Sequence, residues 1–427
     1  MEGLSRTAWA PPAPRARLRL PPNLGLLACV VLVLGVSGGL LWTLGINYDG
    51  LTGSPVQKLH PATYLAVALF LAAMLRAGNP VAYGAGVAAR HPASLLLMGV
   101  SVAYFLNIVL RSAPGMAGAL DTFLLPALVM ILLLDSGADT LRRVETLTHA
   151  VMAANALLGL VEFATGQRFF PYRLDGEIFA TDTRSAALQG HPLGNATLTA
   201  CYVLALLAGG GRLSAPARTG MIVLQSAALV TFGGRSGIVI TSLLGGGRLA
   251  VLAFRALVRN RIPLSVAALG AFALPLFPLA IVGLVAGGFF DTLAGRFAAD
   301  GGSANARVEM FALFDGIPLR DLVFGPDTAL VETLRRMNGL EWGIENPVIR
   351  TLLYQGAIVT VFLTVATTLF LWEVARHCRR GIALPMIAFV ILVNTFESLG
   401  GKTTLLAKFA VLLIALYRPL PPSEREG

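Results

Sequence analysis

Charge is what this 427-residue chain has least of. Asp, Glu, Lys and Arg together make up 13%, against roughly 25% in soluble domains. Hydrophobic residues reach 56%, and mean hydropathy is +0.73. A soluble core of this length has too little interior to hide so much apolar surface, so lipid is the solvent for much of the chain. A cytosolic enzyme and a disordered protein are thereby excluded. Cysteine is scarce too. Cys29, Cys201 and Cys378 lie far apart, with no C-x-x-C and no metal-ligand spacing. That excludes a disulfide scaffold, and Cys29 and Cys201, inside apolar runs, read as small buried hydrophobes. H-E-x-x-H, G-x-S-x-G and any His/Cys cluster are absent, so neither a metal ligand set nor a cofactor motif is found. What remains is a net charge of +10. On a soluble protein it would suggest nucleic acid; on a membrane protein it reports orientation.

A spanning helix needs about 20 mostly apolar residues. Twelve segments qualify, near 24–45, 59–76, 94–111, 117–134, 144–163, 189–208, 219–233, 235–254, 262–289, 346–372, 382–399 and 401–418. The seventh and eighth are parted only by Gly233, Gly234 and Arg235, and the twelfth carries Lys402 and Lys408. Arg15, Arg17 and Arg19 precede the first run as they would in a signal peptide, but Leu41, Trp42 and Thr43 make no small-residue cleavage site, so this segment is expected to be retained. The expectation is an all-α polytopic membrane protein of about twelve transmembrane helices. A cytoplasmic tail over 1–23 would lead into nine spans over 24–289, with an outer loop near 164–188. A large outer loop over 290–345, three further spans over 346–418 and a cytoplasmic tail over 419–427 would follow.

Positive residues set the orientation. With both termini cytoplasmic, 19 of the 33 basic residues and 7 of the 23 acidic ones fall inside, and 14 basic and 16 acidic residues outside. The surplus is therefore an inside surplus. The long outer loop is expected to be ordered. Ser303 can cap a helix over 304–314, and 327–340 places Leu330, Val331, Leu334 and Met337 on one face, so two short helices should lie at the membrane surface.

Orientation does not account for the outer basic residues, which include Lys58, Arg111, Arg173, Arg184, Arg235, Arg307, Arg350, Lys402 and Lys408. Charge at a membrane edge that orientation leaves unexplained points to function. Arg235 sits in Thr231-Phe-Gly-Gly-Arg-Ser-Gly237, where glycine permits close approach of a ligand and a guanidinium can grip phosphate through two donors; a snorkelling interfacial arginine is the alternative. Arg307 and Glu309 share the first loop helix, where a solvated face is the plain alternative. Glu345 and Asn346 precede Pro347 at a span entrance. Asn346 is either a helix cap or a functional polar group, and Glu345 either a dipole-matched carboxylate or a base. Arg350 lies one turn inside and should face a polar cavity. His191, in Gln189-Gly-His-Pro-Leu-Gly-Asn195, is either interfacial or a donor or base, and His60-Pro61 opens the second span in the same way. Gly400-Gly-Lys-Thr-Thr404 imitates a phosphate loop, but the first glycine of G-x-x-x-x-G-K-T would fall on Phe396 and no strand precedes it, so it is rejected as a nucleotide site.

The order of these motifs resembles a family. A Gly-Arg-Ser-Gly turn at a span boundary precedes a long outer loop with an arginine-led helix, then Phe324-Gly325, then Glu345-Asn346 entering a span. The string is similar to the O-antigen ligase and Wzy-type polysaccharide polymerase superfamily. Lys58-Leu-His-Pro-Ala-Thr-Tyr64 and the stretch from Arg184 to Gly190-His-Pro-Leu193 look most like its VpsF-type exopolysaccharide branch. The resemblance implies an inner-membrane protein with a periplasmic active site that moves a glycan from undecaprenyl pyrophosphate to an acceptor sugar. It implies neither a nucleotide sugar nor an obligatory metal, and so no cofactor. Arg235 and Arg307 would hold the diphosphate, with Arg350 and Arg184 as further substrate-binding groups, and Glu345 or His191 would be the base. Partners would be the lipid-linked oligosaccharide, membrane lipid, and the flippase and chain-length regulator of the same pathway, with no nucleic acid. Ligase-like members often carry His-Asn where this chain has Glu345-Asn346, which weakens the lipid A ligase assignment. A lipid-linked glycan flippase or other multi-pass transporter is the alternative, although no two matching halves are visible.

Overall fold

The computed structural model describes residues 23–50, 52–174, 176–178, 184–258, 309–340, 343–396 and 398–419. The described chain is overwhelmingly helical, and its one sheet is the two-residue antiparallel pair Arg173–Leu174 and Glu177–Ile178. Five helices are long and apolar enough to cross a membrane: Pro92–Leu110, Met116–Leu134, Ala138–Thr165, Arg235–Ala256 and Ala357–Arg376. Pro61–Arg76 and Pro80–Arg90 together make a sixth, bent by 114°. Leu24–Gly35, Pro192–Leu207, Ala383–Val393 and Leu405–Tyr417 are apolar but shorter. The chain is thus an all-helical membrane protein with five or six full-length crossings among the described residues. The ninth expected span, 262–289, lies outside them.

The shorter helices are where expectation and structure part. The first run, 24–45, is broken: Leu24–Gly35 ends at Val36, and Ser37 caps a separate helix, Gly38–Thr43, by accepting from the Leu40 N–H at 3.3 Å. The tenth, 346–372, is two helices, Pro347–Gln355 and Ala357–Arg376, joined at Gly356 with φ +85°. A Cβ there would sit 2.4 Å from the Gly325 nitrogen, so only glycine admits the outer loop this close. The eleventh and twelfth runs lose their facing ends. Helix stops at Val393 and resumes at Leu405, so Lys402 belongs to irregular chain. The 13 residues of Leu405–Tyr417 cover about 20 Å at 1.5 Å per residue, short of a hydrocarbon layer about 30 Å thick. Irregular backbone at such depth is tolerated only where it is enclosed by protein or lines a cavity.

Leu405–Tyr417 is buried at every position, as an all-round apolar helix must be. It packs among Met116–Leu134, Ala138–Thr165 and Pro192–Leu207, and Phe389 stacks on Phe409 with ring centroids 3.8 Å apart. The outer helices turn large apolar side chains outward, such as Leu106, Phe362 and Trp372. Within Met116–Leu134, residues Ala119–Leu124 widen into a π-helical turn. Such bulges concentrate at functional sites, and this one carries the buried Asp121.

Basic residues stand beyond both ends of the buried helix Leu405–Tyr417. At one end, arginines close helix C-termini by donating to orphan carbonyls. Arg418 donates to Leu133 and Leu134, and Arg379 to Gly209, Gly211 and Leu416. Arg212 pairs with Glu145 at 2.7 Å and Arg90 with Asp135 at 3.1 Å. Lys58, Arg173, Lys402 and Lys408 gather at the other.

The large loop, as far as it is described, contains Leu319–Phe324 and Thr328–Met337, the latter capped by Asp327 accepting from the Ala329 N–H at 2.9 Å. The expected 327–340 helix therefore ends at Met337, and Met337 is 77% exposed rather than on the buried face. Leu313, Val331, Leu340 and Ile344 instead build a small core against Leu353 and Tyr354. The loop is docked on the Pro347–Gln355 helix by its own apolar core. The start of the expected 304–314 helix, with Arg307, lies outside the described residues.

Candidate functional site

At the second charged end, four irregular stretches enclose a polar pocket of about 240 Å3. Its walls come from Ser37-Gly38 with Tyr48-Asp49, from Tyr172-Arg173, from Gln189-Gly190-His191, and from Ser398 with Gly401–Thr404. His60, Gly194, Phe396 and Lys408 complete the lining.

Two His-Pro dipeptides shape it in the same way. Proline is favoured in the first turn because its missing N–H would be unpaired anyway. The preceding histidine then serves as cap. His191 Nδ1 accepts from the Leu193 and Gly194 N–H groups at 3.1 and 3.4 Å, and His60 Nδ1 accepts from the Ala62 N–H at 3.2 Å. An Nδ1 that accepts leaves the neutral ring's proton on Nε2. His60 spends that proton on the Val36 carbonyl at 3.2 Å. His191 is held as a hydrogen-bond donor, with its ring 4.5 Å from Tyr172.

The wall over residues 46–63 hangs on Asp121. This fully buried carboxylate accepts from the Thr63 hydroxyl at 2.6 Å, the Tyr48 hydroxyl at 2.9 Å and the His60 N–H at 3.1 Å. Lys58 knots the same loop by donating to the carbonyls of Asn47, Gly50 and Thr52. That knot presents Asp49 to the pocket. Its carboxylate presses on Gly38, where a Cβ would lie 1.7 Å from Oδ2, and stands 4.0 Å from the Lys402 ammonium. Burial pushes the Asp49 carboxyl up, against the opposing pull of Lys402, Arg173 and Lys58. Arg173 lies 4.5 Å over the Trp42 ring.

Of the histidines singled out in the sequence, His191 and His60 both line the pocket. Arg235 begins its helix just after a turn packed on Ala196, near the start of the His191-capped helix, and is half-buried outside the lining. Arg184 opens the segment that leads to His191, and its neighbour Ser185 is tied to Glu162 and Thr231. Asn346 is the helix cap, with Oδ1 accepting from the Val348 and Ile349 N–H groups at 3.0 Å. Glu345 precedes it, away from the pocket lining. Arg350 packs behind the Ser398–Gly401 turn, with its guanidinium 5.5 Å over the Tyr354 ring. Arg307 lies outside the described residues.

The lining residues that motif reading passed over are Asp49, Arg173, Lys402 and Lys408. Three of them belong to the outer basic set that orientation left unexplained, and the discarded Gly400–Thr404 stretch forms one wall. Among the described residues no three His, Cys, Asp or Glu side chains are placed to hold a metal. Set beside known proteins, the chain matches no family model, no curated protein and no solved structure.

Proposed function

We propose that the protein is a glycosyltransferase of polysaccharide-polymerase or O-antigen-ligase type. It moves a glycan from undecaprenyl pyrophosphate to an acceptor sugar at the periplasmic face of a bacterial inner membrane, with both termini cytoplasmic, in exopolysaccharide or O-antigen synthesis. The observation that supports the reading is the donor-rich pocket lined by His191, whose helix starts beside the turn that leads into Arg235. The acceptor oxygen forms a bond to the anomeric carbon as the sugar–phosphate bond breaks. The leaving pyrophosphate gathers negative charge, which preorganised cations stabilise, and a base takes the hydroxyl proton. Arg235 and Arg307 serve the diphosphate, with Arg350 and Arg184 as further substrate-binding groups, and Glu345 is the base. His191, committed as a donor by its cap, orients substrate oxygens. Arg235→Ala and Arg307→Ala, each at normal membrane abundance, should abolish polymer and accumulate single lipid-linked repeat units. Unchanged polymer yield and length in both variants would sink the proposal.

One observation favours a second reading, a lipid-linked glycan flippase. Broken helices flanking a polar cavity are a transporter device, and 36–37 and the described residues between Val393 and Leu405 are such breaks. The two readings differ in where substrate accumulates in a null strain: facing the periplasm for a transferase, facing the cytoplasm for a flippase.

A further inference from the structure

Lys408 stands where physical rules disfavour a lysine. It is 4% exposed, on a helix whose every other residue from Leu405 to Tyr417 is buried too. It lies in the first turns of that helix, near the positive end of the dipole. Its backbone N–H bonds to the Thr404 carbonyl at 2.9 Å, while its ammonium has neither hydrogen-bond nor ion-pair partner among the described residues. A buried ammonium without a counter-charge is expensive, and an intramembrane charge is retained for function.

The surroundings repeat the imbalance. Arg173 reaches the same pocket with Nε and Nη1 buried and without a hydrogen-bond partner among the described residues. Lys402, in the irregular chain before the helix, lines it too. The Thr403 hydroxyl accepts from the Leu405 N–H at 3.1 Å, which leaves its proton to donate. Asp49 is the one carboxylate among the described lining residues. Among the described lining residues three cations thus face one carboxylate, an excess of two positive charges. A carboxylate ligand would neutralise one of them, whereas a doubly charged phosphoryl group neutralises both.

We propose that this pocket is a phosphoryl-binding site, with Lys408 at its buried end and Lys402 and Arg173 nearer its mouth. The site is separate from Arg235, which does not line it. The site itself rests on the geometry above; that its phosphoryl group belongs to a lipid-linked sugar donor rests on the glycan-transfer reading.

The test is direct binding to the purified full chain in lipid nanodiscs made of phosphatidylcholine, by calorimetry, with inorganic pyrophosphate, undecaprenyl pyrophosphate and phosphatidylglycerol as separate probes. At least one should bind the parent protein. Lys408→Met should weaken that probe by about tenfold or more, since a charge-assisted contact is lost, and should unfold no earlier on heating. Lys408→Arg should recover part of the affinity. Binding confined to undecaprenyl pyrophosphate supports the site with a lipid-linked donor as source. Equal binding of phosphatidylglycerol supports it with bilayer phospholipid as source, and binding of inorganic pyrophosphate alone supports it with a free anion. No binding of any probe to the parent, or full-strength binding to a folded Lys408→Met, overturns the proposal. Polymer yield in cells reads the other question: normal polymer from a Lys408→Met protein that has lost phosphoryl binding would keep the site and remove its assignment to the lipid-linked sugar donor.

Discussion

The Lys402 ammonium sits 3.7 Å from the centroid of the Tyr48 ring while donating to the Tyr48 carbonyl, and the Tyr48 hydroxyl in turn donates to Asp121 at 2.9 Å. One tyrosine thus links a pocket cation to a buried carboxylate inside a spanning helix, and its two ends can be tested apart. Tyr48→Phe keeps the ring under Lys402 but strips Asp121 of a donor. Leaving a buried acceptor short costs about 1–3 kcal/mol, so thermal unfolding should come earlier. Tyr48→Leu also removes the cation–π contact, worth about 0.5–2 kcal/mol, and should be less stable still. Equal melting of the two variants would contradict this division.

Gly38→Ala should damage the pocket more than the fold. The added methyl would meet Asp49 Oδ2 at 1.7 Å, so the carboxylate must swing away and release Lys402. Polymer formation is expected to fall at near-normal membrane abundance. Gly35→Ala, with nothing within 4 Å of its Cβ, is the matched control and should behave as the parent.

Gly356→Ala should detach the outer loop. The position holds φ +85°, and a Cβ there meets the Gly325 nitrogen at 2.4 Å and the Val323 oxygen at 2.8 Å. Backbone strain and the clash together should cost about 2 kcal/mol or more. Limited proteolysis between 318 and 340 should speed up, while the transmembrane core stays resistant.

Asp135 should contribute a pH-dependent share of stability at the arginine-capped end. Burial alone would raise its pKa, but the hydrogen bond from His91 and the charges of Arg90, His91 and Arg418 outweigh it and hold the carboxyl below its ordinary 3.8. A depressed carboxylate pKa stabilises the fold above the unfolded-state value and loses that contribution as pH falls through the folded value. The difference in melting temperature between parent and Asp135→Asn should therefore be constant above about pH 5 and shrink below it. A gap that widened on acidification would refute the assignment.

Some of this was legible along the chain. Pro92–Leu110, Met116–Leu134 and Ala357–Arg376 stand close to where hydropathy alone puts them, and His60-Pro61 and His191-Pro192 announce helix starts that the structure contains. Asn346 is the cap that Asn before Pro suggests. The breaks were not legible. Val36–Ser37 is apolar enough to pass as span, and the eleventh and twelfth runs were expected to continue to 399 and from 401; close approach of distant chain at these places, Asp49 to Gly38 and Pro347 and Arg350 to Gly400, is not written in local composition. The candidate site was half legible. Arg173, Lys402 and Lys408, which line the pocket, belong to the expected outer basic set, whereas motif order favoured Arg235 and Glu345, which do not line it.

The sequence by itself determined the solvent, since too few charges on too apolar a chain leave only a membrane, and it sorted the basic residues into two sets. Hydropathy and charge are sums over neighbouring residues, so they survive without a fold. Which outer cations share one cavity was decided by tertiary structure alone. Lys402 and Tyr48 lie 354 residues apart, and their meeting depends on where helices stop, a matter of packing rather than of local composition.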